Sequence, residues 1–172
     1  MNTINIQIAK VEHTMTIDNR GIFKRLGKLL EEHGELYEAY LLNHQENIVE
    51  EAIDNLIVLV SLAHEINKDS LFQIGHITNK GFNNESNTSS EDNSKLLMQY
   101  SILIGKMSDC IQKHEQIVSS RYKGGITSEE TLLSISNSIF KLMNFVSRIS
   151  KDSSFINQLI INKVYKWTEK VS

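Results

Sequence analysis

No proline occurs anywhere in the 172 residues. Proline removes a backbone donor and clashes with the preceding turn, so its absence permits long uninterrupted helices. There is one cysteine, Cys110, which excludes an internal disulfide and fits a reducing compartment. Cys110 falls in an apolar helical pattern and is expected to be a buried core thiol rather than a nucleophile. A large excess of either charge is also missing. The net charge of −3 offers no electrostatic footprint for duplex nucleic acid. No apolar run reaches the roughly 18 residues that span a bilayer, so no membrane partner is expected. The N-terminus lacks the long apolar segment of a secretory signal. These absences predict a cytoplasmic, soluble protein, one domain over residues 1–172 with a sizeable core.

What is present is a series of amphipathic patterns. Residues 1–17 read two ways, as an alternating Ile4, Ile6, Ile8 strand or as the start of a helix, and are left as a packing arm. Asp18 or Asn19 can cap a helix over about 19–42. Further helices are expected at about 46–66, 70–81 (capped by Asp69 and Ser70), 94–119, 128–149 and 153–170. Thr127 and Glu130 form a T-x-x-E capping box, and Asp152 with Ser153 caps the last helix. Residues 83–94, NNESNTSSEDNS, are polar throughout and read as a linker.

One acidic stretch stands out, Glu31 to Asp54. Glu32 and Glu35 are three residues apart, and so are Glu51 and Asp54. On helices, that spacing puts each pair on one face. The segment containing Asn43, His44, Gln45 and Asn47 can reverse the chain, so that two antiparallel helices aim four carboxylates into one gap. The second pair lies in an apolar run from Ile48 to Ala63, where full hydration is not available. A hard divalent cation resolves the conflict, and an all-oxygen donor set suits magnesium or manganese rather than zinc.

The pattern ExxE, spacer, ExxD, within LLEEHGELYEAY and EEAIDNLIVLVSLA, resembles the MazG-like all-α nucleoside triphosphate pyrophosphohydrolases of the dUTPase and dCTPase type. The resemblance covers about residues 20–84. It implies a helical bundle, a Mg2+ cofactor (Mn2+ as a substitute), and cleavage of a nucleoside triphosphate to the monophosphate and pyrophosphate by a metal-activated water. Carried over by position, the metal ligands would be Glu32, Glu35, Glu51 and Asp54, with Glu32 or Glu35 also accepting the water's proton. Lys80, with Asn83 or Asn84 after it, resembles a Lys/Asn segment that follows the metal helices in that family. The match is loose, because Gly81 and Phe82 stand where members often carry an arginine. Lys28, one turn before Glu32, can reach the same mouth. His33 is expected to face solvent or make a hydrogen bond rather than bind metal. Phe23, Tyr37, Phe82 and Trp167 are the candidates for a base-binding wall. Members of this type often assemble from several chains, so a homodimer is also implied.

The second half repeats the first. Ile66-Asn67-Lys68-Asp69-Ser70-Leu71-Phe72 matches Ile149-Ser150-Lys151-Asp152-Ser153-Ser154-Phe155, and Asn79-Lys80 matches Asn162-Lys163 at the same offset. Aligned backwards, Ser134 stands opposite Glu51, Asn137 opposite Asp54, Leu103 opposite Glu32 and Lys106 opposite Glu35. The expectation is an all-α bundle of two tandem three-helix repeats: 18–82 with the metal ligands, then the linker, then 95–172 without them, packing as a built-in partner. Lys106 would fill the dead site electrostatically. Against the enzyme stand two other readings: a nucleotide-binding module without turnover, and a structural bundle that docks on a partner protein.

Overall fold

The computed structural model describes residues 21–67, 71–83, 92–115 and 125–171. Among them are six helices and no strand: α1 (Ile22–Leu41), α2 (Gln45–Ile66), α3 (Leu71–Phe82), α4 (Asn93–His114), α5 (Ser128–Ile149) and α6 (Ser153–Val171). The protein is an all-α helical bundle, as the sequence predicts. Among the described residues, no helix is long and apolar enough to cross a membrane.

The two longest apolar patterns become the two central helices. α2 buries side chains around most of its circumference, from Ile48 to His64, and it packs against α1, α5 and α6. A helix apolar on several sides must be enclosed in this way. α5 is enclosed likewise by α4, α3 and α2, and buries Ile135, Ile139, Leu142, Met143, Phe145 and Val146. Each such residue removed from water contributes roughly 1.5–3 kcal/mol, so the α2–α5 contact is the spine of the fold.

Local signals set the helix ends. At the close of α1, Asn43 adopts a left-handed φ of 56°. Its N–H donates to the Tyr40 carbonyl at 3.1 Å, and the His44 N–H to the Ala39 carbonyl at 3.4 Å. This is the Schellman arrangement with asparagine in the glycine position. It reverses the chain within Leu42–His44, so Gln45 and Asn47, expected in the turn, already belong to α2. Thr127 and Glu130 form the expected capping box on α5. Asp152 accepts from the N–H groups of Ser154 and Phe155 at the start of α6. Asp92 caps α4 through the Ser94 N–H, so helix begins one residue before the expected end of the polar linker.

Some ends differ from expectation. α1 begins after Gly21, whose φ of 78° suits glycine and which supplies no side-chain cap. The expected caps Asp18, Asn19, Asp69 and Ser70 lie outside the described residues, as does the N-terminal arm. α4 ends at His114, with Glu115 as its C-cap, rather than at 119. Cys110 is only half-buried: it flanks the stripe through Met107 and Ile111 rather than lying in it.

The third helix of each half crosses over. α3 follows α2 in sequence but lies mainly along α5, and α6 follows α5 but packs on α2. Gly81 marks how closely α3 approaches: a Cβ there would lie 2.8 Å from the Phe140 carbonyl oxygen on α5. Gly81 is thus a packing residue.

Candidate metal and substrate site

The site grows out of the α1–α2 hairpin. Lys28, Glu32 and Glu35 follow at helical spacing on α1, and Glu51 and Asp54 do so on α2. One buried side chain ties the two backbones together. Asn55 is fully buried, and its Nδ2 donates to the Glu32 carbonyl at 2.8 Å and to the Glu51 carbonyl at 2.9 Å. Its Oδ1 accepts from the hydroxyl of Tyr100 on α4 at 3.0 Å. Tyr100 is also fully buried. The second hairpin therefore holds from behind the amide that joins the two carboxylate-bearing helices.

Glu32, Glu35 and Glu51 each bring a carboxylate oxygen within 4.8 Å of the other two. Glu32 is buried, Glu51 partly so, and Glu35 is open to solvent. The spacing is within reach of an oxygen-liganded divalent cation, whose ligands lie roughly 2.0–2.6 Å from the ion. Asp54 borders the same cleft but is engaged elsewhere. Its Oδ2 accepts from the Lys163 ammonium on α6 at 2.5 Å, and Glu50 lies 3.6 Å from the same nitrogen. At the opposite end, the Lys28 ammonium is 2.6 Å from Glu32 and 2.9 Å from Glu31.

The electrostatics follow from burial and then from crowding. Burial, then the charge of Asp54, pushes the Glu51 carboxyl up to about 7, against the pull of Lys163. Burial and neighbouring Glu32 raise Glu35. Burial also raises Asp54, although Lys163 opposes it. Burial alone would lower Lys163 and Lys28; hydrogen bonds and the charges of their carboxylate partners more than offset this and raise both. The cluster carries more negative charge than its solvent can support, and a proton or a cation relieves it.

These groups line a cleft of about 720 Å³, within the range of small-molecule sites. α6 contributes Lys163, Lys166 and Trp167 to its lining, and α2 adds Ile57, Val58 and Ser61. Arg25 also reaches the cleft, its Nε bonded to Glu65 at 2.9 Å.

Of the residues singled out in the sequence, Lys28, Glu32, Glu35, Glu51, Asp54 and Trp167 line this cleft. Lys80 and Asn83 do not, because α3 has crossed to α5. Lys106 is exposed on α4; the cation paired with Asp54 is Lys163. Phe23 is exposed, Phe82 packs against the core, and the Tyr37 hydroxyl bonds Ser101 at 2.7 Å, so Trp167 is the one wall candidate at the cleft. His33 turns its Nε2 to the Ser101 hydroxyl at 3.2 Å, and burial lowers its pKa. It is a neutral hydrogen-bonding residue, not a ligand. Sequence reasoning missed Asn55 and Lys163 as site residues. The Asn162-Lys163 match to Asn79-Lys80 was the signal for the second.

Comparisons of this chain with protein-family models, with curated proteins and with solved structures return no match. The functional reading therefore stands on the geometry of the cleft and on the acidic motifs.

Proposed function

We propose that this chain is a magnesium-dependent nucleoside triphosphate pyrophosphohydrolase, acting on a nucleoside or deoxynucleoside triphosphate, with manganese as an accepted substitute. The observation that carries the reading is the meeting of Glu32, Glu35 and Glu51 in a ligand-sized cleft that lysines and a tryptophan also line. A polyanion bearing an aromatic base has the chemistry to match this lining.

The residues fit a hard cation. The donors are all carboxylate oxygens; Glu32 is buried and Glu51 partly so, and burial together with neighbouring carboxylate charge raises Glu35 and Glu51. Glu32, Glu35 and Glu51 would hold the ion, with Asp54 beside them. A bound divalent ion would polarise the phosphoryl oxygens and lower the pKa of a coordinated water. Lys28 and Lys163, at the two ends of the acidic row, would neutralise the phosphate chain. Trp167 with Ile57 and Val58 would receive the base and exclude water from it. Glu35 is the solvent-facing carboxylate of the cluster, so it is the group best placed to accept the proton. The single cysteine fits the reducing cytoplasm as the place of action.

The test is pyrophosphate release from a panel of nucleoside triphosphates, with and without magnesium. Turnover that Glu51→Gln and Glu35→Gln abolish in folded protein is expected. No release from any member of the panel would refute the enzyme reading. The engagement of Asp54 by Lys163 favours a second reading, a module that binds nucleotide without turning it over; calorimetric binding without product would select it.

A further inference from the structure

We propose that Lys163 is a resident counter-ion that competes with the divalent cation for Asp54, so that metal completes the site by displacing a lysine. The inference rests on the metal-site reading above. Asp54 is three residues from Glu51 and shares its helical face, yet it stands apart from the three clustered carboxylates. The difference between the two acids is the Lys163 ammonium. The side chains of Lys163 and Asp54 keep only 18% and 25% of their exposure, so the pair has lost much of its water. A carboxylate withdrawn from water needs a cation, and the lysine supplies one. The acidic groups facing Lys163 all come from α2: Asp54, Glu50 and Glu51.

An ammonium and a divalent ion on the one Asp54 carboxylate would stand within a few ångströms of each other, and as both are positive each weakens the other's hold. On this proposal metal entry returns the lysine to the cleft, beside Lys166, where a phosphate chain would meet it. An anion that captures the released ammonium frees Asp54, and by linkage favours the metal in turn. Metal and polyphosphate would load together, and the lysine would keep the site compensated when both are absent. The device depends on the helix crossover, since Lys163 belongs to the second half and acts on the carboxylates of the first.

The experiment measures Mn2+ binding alone, from the free-ion electron paramagnetic resonance signal, in the wild-type chain and its variants. Lys163→Met is expected to tighten Mn2+ binding by on the order of tenfold, the scale of one charge-assisted hydrogen bond. Lys166→Met removes the same charge from the same cleft and is expected to change binding by less than about threefold, the scale of a screened surface charge. In an Asp54→Asn background the gain from Lys163→Met should vanish. Circular dichroism checks folding, and Lys163→Gln replaces the methionine variant if that one is unfolded. Unchanged or weaker binding in the Lys163 variant, or a gain that survives in the Asp54→Asn background, overturns the competition and leaves the metal site standing. No Mn2+ binding to any of the proteins overturns the metal-site reading and the competition with it.

Discussion

Burial, with the charge of Asp54 beside it, makes Glu51 a residue that destabilises the metal-free fold. Folded Glu51 keeps its proton up to about pH 7, whereas an unperturbed glutamate releases it near 4.5. Between those values the folded state binds more protons than the unfolded chain, so stability falls as pH rises through the window. Below it the contribution is fully favourable; above about pH 7 it is lost. At about 1.4 kcal/mol per pH unit the gap sets a ceiling of about 3.5 kcal/mol. Glu51 is only partly buried, and solvent screening reduces this to about 1–2 kcal/mol. Glu51→Gln removes the charge and keeps the shape. In chelator at pH 8 the variant should therefore be more stable than the wild type by about 1–2 kcal/mol, a rise in Tm of about 3–6 °C for a chain of this size. At pH 4.5 the two should unfold together. With saturating magnesium the order should reverse, because only the wild type gains binding energy. Urea titrations followed by circular dichroism measure all three conditions. A glutamine variant that is equal or less stable at pH 8 in chelator would refute the reasoning, because the carboxylates would then not be in conflict.

Three further outcomes are expected. Asn55→Ala should cost about 2–3 kcal/mol in urea unfolding, because it leaves the buried Tyr100 hydroxyl without its acceptor, and it should weaken Mn2+ binding by loosening α1 from α2. Gly81→Ala should cost about 1–3 kcal/mol, since its methyl group meets the Phe140 carbonyl; calorimetry should find Mn2+ binding unchanged, because α3 is not at the cleft. Trp167→Ala should weaken nucleoside triphosphate binding by about 1–3 kcal/mol, the usual worth of base stacking, and leave inorganic tripolyphosphate binding unaltered.

Much of this architecture was legible in the chain. The apolar spacing located the six described helices, because each hides one stripe or, for α2, almost its whole surface. Caps such as Thr127–Glu130 and Asp152 were readable because they are settled within a few residues. The acidic row was readable for the same reason: Glu32 and Glu35, or Glu51 and Asp54, need only helical geometry to share a face. The partners of that row were not. Lys80 looked suitable from its place after the metal helices, but nothing local told which hairpin α3 would join. Asn55 passed as one more polar residue in an apolar run, and its meaning appears only when Tyr100 arrives from the other half.

The sequence by itself determined the described helices, capped ends such as those at Thr127 and Asp152, and the faces on which the carboxylates stand, since neighbours within a turn or two decide these. The tertiary structure alone decided that α3 and α6 exchange places, that Lys163 and Trp167 rather than Lys80 face the acidic row, and that Asp54 parts from its three companions. The physical reason is that these outcomes depend on which apolar faces bury each other, and on charges brought together from residues as far apart as Asp54 and Lys163. No periodicity along a single helix encodes such a pairing.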